Sequence, residues 1–378
     1  MRGRLAIGVM AAMVAGATPA LAAEARRGPG GTLPDGRTVE VITLSNGHGI
    51  RARILTYGAT LQSLVAPDRA GHPADVLIGY DDVADYVRHP DYFGVTVGRY
   101  ANRIAAARFT LDGRTYQLDR NDKNNALHGG SAGFSRQMWH VVAVESGPVA
   151  RVTLAYRSPD GDMGYPGNLD VTTSFALDEA GALTITYGAS TDKPTVVNMT
   201  NHAIFNLAGE GTPGGIERHL LTVPATAYTP VDATLIPTGE RRRVAGTPFD
   251  FRTPRALGDA MRDGRDEQIR AGRGYDHNWA LDAGLTATPK LAARLEDPAS
   301  GRVLEVLSTE PGVQVYTGNF LDGQVAGKNG HLYRMGDGVA LEPQKFPDSP
   351  NQPGFASARV DPGHPYRHVM VYRLSVAR

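Results

Sequence analysis

From about residue 38 onward the chain is a succession of short segments in which apolar and polar residues alternate, each ended by turn-forming residues. A period of two sends alternate side chains to opposite faces of an extended segment. Such arms are "VEVITL", "RARILTYGATLQSLVAP", "RVTLAY" (151–156), "LDVTTSFAL" (169–177), "ALTITYGAS" (182–190), "RVLEVLST" (302–309), "VQVYTG" (313–318) and "HVMVYRLSV" (368–376). In "FTLDGRTYQL" (109–118) Asp112-Gly113 stands between two such arms, and both central positions of a tight hairpin turn favour positive φ. Amphipathic helical windows are few; one is "PRALGDAMRDG" (254–264), short and peripheral. With 45 glycines and 25 prolines as punctuation, the pattern predicts an all-β sandwich or barrel. Neither a linker-like shift in composition nor a fixed-period repeat interrupts it, so residues 38–378 are expected to form one domain and not a propeller.

The 378 residues, 41% of them hydrophobic, can bury a large core. Formal net charge is zero and like charges form no long run, so neither nucleic acid nor an anionic membrane is an expected partner. The short cluster Arg241-Arg242-Arg243 reads as a solvated loop. The N-terminus differs from the rest. Arg2 and Arg4 precede an apolar run from Leu5 to Ala17, followed by Thr18-Pro19-Ala20-Leu21-Ala22. Those are the parts of a secretory signal, predicted over residues 1–22 with cleavage after Ala22, and the run is short of the ~20 residues of a membrane span. The mature chain would carry a net charge of 0 − 2 = −2, would be periplasmic or secreted, and would have no membrane partner. Residues 23–37, rich in glycine and arginine, are expected to be a flexible lead-in.

The chain contains no cysteine, so thiolate chemistry and disulfides are excluded. Zinc-hydrolase H-E-x-x-H spacing and a phosphate-binding G-x-x-x-x-G-K loop are absent too. What remains is histidine, carboxylate, arginine and amide chemistry, gathered in six stretches. "GRYANRI" (98–104) carries Arg99 and Arg103, on one face if extended, with Asn102 on the other; the plain alternative is a surface strand. "NNALHGG" (124–130) sets His128 before two glycines that permit close backbone approach. "VNMTNHAIFNL" (197–207) places Asn198, Thr200 and His202 on one face of a regular strand. "GYDHNWAL" (274–281) offers Asp276 and Asn278 beside Trp279, an aromatic that either stacks on a sugar or belongs to the core. "GVQVYTGNFLDG" (312–323) puts Gln314 and Tyr316 on one face. In "ALEPQKFPDSPNQPG" (340–354), Glu342 directly precedes a proline and three more follow, which stiffens the backbone beneath it. A carboxylate, imidazoles, an arginine and amides, with neither nucleophile nor metal cage, suit proton transfer on a neutral polar molecule.

In this order and spacing, "TLSNGHGIRARILTYGATLQSLVAPDRAG", "GRYANRI", "LHGG", "TNHAIFNL", "YDHNW", "VYTGNFLDG" and "LEPQKFPDSPN" resemble the aldose 1-epimerase (galactose mutarotase) family over residues 38–378. The resemblance implies a large antiparallel β-supersandwich with a concave sugar groove. It implies Glu342 as general base and His202 as general acid, with Asn102, Arg103, His128, Asp276 and Gln314 contacting a monosaccharide. The implied reaction is anomer interconversion of a free aldose such as glucose or galactose, with no metal and no cofactor, by a monomer or homodimer. Departures border the pocket: Lys345 stands where many members carry histidine, Trp279 where phenylalanine or tyrosine is common, and "DKNNA" precedes "LHGG". Alternatives are a non-catalytic sugar-binding protein on the same scaffold, or a hexose-6-phosphate 1-epimerase drawing on Arg99 and Arg103. An ionised Glu342 facing a protonated His202 is expected to raise the histidine pKa and hold the glutamate down.

Overall fold

The computed structural model describes residues 23–89 and 91–377; the predicted leader, 1–22, lies outside the described residues. Three antiparallel sheets dominate. The first is a five-stranded meander in chain order: Glu24–Thr32, Thr38–Ser45, Arg51–Leu55, Thr60–Pro67 and Pro73–Asp75. The second, of nine strands, runs in space from His140–Glu145 through Val149–Ser158, Leu169–Asp178 and Ala182–Thr191 to Tyr366–Val376, then to Arg302–Ser308, Lys290–Glu296, Leu220–Thr222 and Arg255–Ala256. The third has six strands in the order Ile204–Phe205, Val339–Gln344, Gly312–Tyr316, Asp276–Ala280, Ala227–Thr229 and Arg242–Arg243. This is the all-β architecture that the alternation predicts, with the antiparallel strands that the resemblance implies. The hairpin expected at Asp112-Gly113 is present, with φ of 50° and 75° at its two turn residues.

Two expectations fail. Residues 23–37 are not a flexible lead-in: Glu24–Thr32 is a nine-residue strand paired with Thr38–Ser45, from Glu24↔Ser45 to Thr32↔Thr38. Buried Ala23 and Leu33 anchor its ends, and Gly30 lies so close to Glu40 that a Cβ there would meet backbone at 2.8 Å. A strand held by its neighbour leaves little trace in its own composition. The helix expected over 254–264 is instead the edge strand Arg255–Ala256 followed by a single 3-10 turn, Leu257–Asp259. Pairing of Ala256 with Leu220 claims the backbone a helix would need, while Leu257 and Met261 still reach the core.

The six-stranded sheet is two-faced. Val313, Val315, Val339 and Leu341 enter one continuous apolar cluster with Leu304, Val306 and Met370 of the nine-stranded sheet. Period two then sends Gln314 and Glu342 to the opposite face. The alternation that builds the core thus also presents the polar side chains.

Candidate active site

On that opposite face lies a hollow of about 180 Å³ whose wall includes Asn102, Arg103, His128, His202, Asp276 and Glu342. It is smaller than the ~300–1,000 Å³ of drug-sized ligand sites and suits one small molecule. Six of the seven residues singled out in the sequence therefore share one cavity. The seventh, Gln314, stands directly opposite Glu342 in the adjacent strand. It is withdrawn from the wall and donates from Nε2 to Asp276 Oδ1 at 2.6 Å.

Each wall residue is held by identifiable contacts. Glu342 lies in mid-strand, buried, with His202 Nε2 3.8 Å from its Oε1. Arg103 donates from Nε to Asp122 Oδ2 at 2.7 Å and keeps Nη1 3.8 Å from Asp276 Oδ2. His128 accepts the Asn102 N–H at Nδ1, at 3.2 Å. In a neutral ring Nε2 then carries the proton and donates. Tyr92, Asn102 and His128 all adopt left-handed backbone, with φ of 58°, 61° and 50°, conformations that non-glycine residues hold only where surroundings impose them. Gly129 is required beside them: a Cβ there would sit 1.8 Å from the Gly98 carbonyl oxygen.

The stiff segment after Glu342 does more than hold the glutamate. Asp348 donates its N–H to Arg103 O at 2.8 Å, and its Oδ1 accepts Ala105 N–H at 2.9 Å. Tyr100 donates to Phe346 O at 2.9 Å and accepts Ser349 N–H at 3.0 Å. Through Phe346, Asp348 and Ser349 this segment fastens the strand bearing Glu342 to the loop bearing Asn102 and Arg103. Asn198 ties in the third segment: Nδ2 donates to Ala101 O and to Lys345 O, each at 3.2 Å, and Oδ1 accepts Lys345 N–H at 2.9 Å.

Several sequence expectations are corrected here. Arg99 and Arg103 do not share a face. The Arg99 guanidinium is buried, donating to the carbonyls of Ser158, Pro159, Pro166 and Gly167 and to Ser158 Oγ, so it is out of a ligand's reach. Residues 198–202 are no regular strand: Thr200–Asn201 pairs with Thr96–Val97, while Asn198 makes an isolated parallel bridge to Tyr100. Trp279 is no stacking platform, being fully buried among Tyr228, Phe249, Phe251 and Tyr275. His277 is also on the core side, where its Nδ1 accepts the Asp276 N–H at 3.2 Å and burial pushes its pKa down to about 3. Lys345 turns away from the hollow to a buried ion pair with Glu310 at 2.8 Å. Asp91, Tyr92, Tyr316, Phe320 and Leu321 line the hollow, and only Tyr316 was noted in the sequence, as Gln314's companion. The signal available for the first two was a polar, proline-bearing turn, "RHPDYFG" (88–94).

The electrostatics also run against expectation. Burial pushes the His202 pKa down to about 4. Burial and the nearby Asp276 carboxylate push Glu342 well above the usual range, with Arg103 opposing them. Burial thus disfavours the charged form of each group, the opposite of what mutual attraction alone would give. His128, His202 and Glu342 also bring ligand atoms within 4.8 Å of one another. A metal on His128 Nε2 would need the opposite tautomer, with a proton on Nδ1 facing the Asn102 N–H, so the trio fits proton handling better than metal binding.

An antiparallel all-β scaffold with a buried carboxyl–imidazole pair on the wall of a small polar hollow defines the class of protein. The aldose 1-epimerase family model matches residues 40–373. Galactose mutarotase of Mus musculus is 44% identical over 348 residues, covering 92% of this chain and 97% of that protein. Aldose 1-epimerase of Escherichia coli K12 is 37% identical over 342 residues, 90% of this chain and 96% of the relative. The crystal structure of galactose 1-epimerase from Lactobacillus acidophilus superposes with a TM-score of 0.82 at 28% identity, covering 94% of this chain and 99% of that one. The chain belongs to the aldose 1-epimerase family.

Proposed function

We propose that Glu342 and His202 are the proton-transfer pair with which this isomerase interconverts the α and β anomers of a free aldose. The observation that carries this reading is their 3.8 Å approach within the hollow. Glu342 takes the proton of the anomeric hydroxyl while His202 gives one to the ring oxygen. The C1–O5 bond breaks, and C1 becomes the aldehyde carbon. Rotation about C1–C2 presents the other carbonyl face; O5 then attacks C1, returning its proton to His202 as Glu342 returns one to O1. The pair ends as it began, having passed through the carboxylic acid and neutral imidazole. A raised glutamate and a lowered histidine both favour that second, uncharged arrangement, in which the open-chain sugar is held. Asn102, Arg103 and His128 contact the sugar's other hydroxyls, while Gln314 acts by orienting Asp276.

The hollow's charge favours a neutral sugar. Asp91, Asp276 and Glu342 line it, and its single guanidinium, Arg103, already faces Asp122 and Asp276. With Arg99 committed elsewhere, the hollow's own wall, among the described residues, offers a hexose 6-phosphate Arg103 alone. A purely sugar-binding role leaves the carboxyl–imidazole pair unexplained. Export through the leader at 1–22 would put the enzyme in the periplasm or medium; Arg2, Arg4 and the apolar run support this. The residues assigned to the pair and to sugar contact all come from one chain, which supports activity as a monomer, a homodimer being compatible.

Polarimetry on freshly dissolved α-glucose, α-galactose, xylose and arabinose, with glucose 6-phosphate as control, tests the reading. Faster equilibration of a free aldose is expected. Acceleration confined to the phosphate ester overturns it.

A further inference from the structure

Behind the hollow lies a polar notch that this proton-transfer scheme does not use. Asn278, Gln314 and Glu342 stand opposite one another across three neighbouring strands, and Gly312 stands opposite Gln344 one pleat further along. Opposed residues of antiparallel strands project to the same face, so the bare Cα of Gly312 lies among these side chains. A Cβ on Gly312 would fall 2.3 Å from Asn278 Oδ1 and 2.8 Å from the Phe346 ring. The Asn278 amide therefore leans over the glycine, and Phe346 closes the notch.

Asn278 and Gln344 are 1% and 0% exposed, yet both polar atoms of each amide lack a protein hydrogen-bond partner, as do Gln314 Oε1 and Glu342 Oε2. More than about 90% of buried polar groups find partners, so six orphans on one patch are not scatter. Flipping either amide exchanges its oxygen and nitrogen and cures nothing. Neither Asn278 nor Gln344 lines the hollow, which removes the substrate's hydroxyls as their partner. What suits two donors-and-acceptors beside a carboxylate is a molecule that both donates and accepts, small enough for a notch left by a missing side chain.

We propose that Asn278, Gln344 and Gly312 form an internal water site behind Glu342, whose water accepts from the amides and donates to Glu342 Oε2. A hydrogen bond to the ionised form favours that form, so this water offsets part of the burial that pushes Glu342 upward. His202, His128, Asp276 and Arg103 are the other charged or titratable side chains facing the carboxyl, with the phenols of Tyr316 and Tyr372 nearby. Asn278 and Gln344 are thus positioning residues. Their effect on rate rests on Glu342 being the base; the water site itself does not.

Two measurements on the full chain test the inference. A high-resolution crystal structure of the wild type is expected to show ordered water bonded to both amides. In Gln344→Met, with Asn278→Leu as a second apolar replacement, the alkaline limb of the kcat/KM profile, which reports the raised Glu342, is expected to move up by about one pH unit while the acid limb, which reports His202, stays. Amides bonded to each other across a dry notch, or variant profiles that superimpose on the wild type, overturn the proposal. A wild type that equilibrates no aldose refutes the base assignment instead and leaves the crystal structure to decide the water site.

Discussion

Asn198 is bonded twice to the backbone of Lys345, accepting its N–H at 2.9 Å and donating to its carbonyl at 3.2 Å. Lys345 is three positions after Glu342, and Asn198 four before His202. A third bond, to Ala101 O, reaches the residue preceding Asn102. One carboxamide therefore sets the spacing of three chain segments that converge on the hollow. Asn198→Leu is expected to lose about 2–4 kcal/mol of stability, from buried backbone groups left unpaired, and to lower kcat more than it raises KM. Urea unfolding and steady-state polarimetry check both.

His202→Gln keeps a polar group near the ring oxygen but cannot deliver a proton. Its kcat should fall by about 10²–10⁴-fold, with KM within a few-fold of wild type. A KM change without a kcat change would make His202 a binding residue only.

Arg99→Lys separates structure from catalysis. A lysine cannot satisfy the oxygens of Ser158, Pro159, Pro166 and Gly167 that the guanidinium fork reaches. A stability loss on the order of 2–4 kcal/mol is expected, with kcat and KM on free aldoses nearly unchanged and no phosphate effect.

The buried histidine His219 predicts a pH signature. Its Nε2 accepts Leu207 N–H at 2.9 Å, and burial pushes its pKa from 6.5 down to about 4. Above pH 6.5 it is neutral folded or unfolded and adds no pH dependence. As pH falls from 6.5 towards 4, the unfolded chain takes up a proton that the folded one refuses, and stability drops. His219→Asn removes that dependence. The stability gap between wild type and variant should narrow by about 3 kcal/mol across this window, as read from urea midpoints at successive pH values.

What could be read in the sequence was what obeys local rules. Alternation gave the strands and the parity of Gln314 and Glu342, and Asp112-Gly113 marked its own turn. Parity would also have sent His277 and Trp279 to the core once Asp276 faced the hollow, because both stand an odd number of residues from it on one strand. Arg99 and Arg103 misled because residues 98–102 are not extended: left-handed Asn102 rotates one arginine away from the other. The Glu24–Thr32 strand depends on a partner strand, which its own window of sequence does not display. The pKa directions were missed for a related reason, since burial depth is a tertiary quantity.

Glu342→Gln is the most direct test, because the amide keeps the side chain's shape and its place in the strand while removing the proton acceptor. Polarimetry of fresh α-glucose or α-galactose should show kcat reduced by about 10²–10⁴-fold, with sugar still bound and thermal stability equal to or above wild type. A Glu342→Gln variant that equilibrates anomers as fast as the wild type would contradict the account.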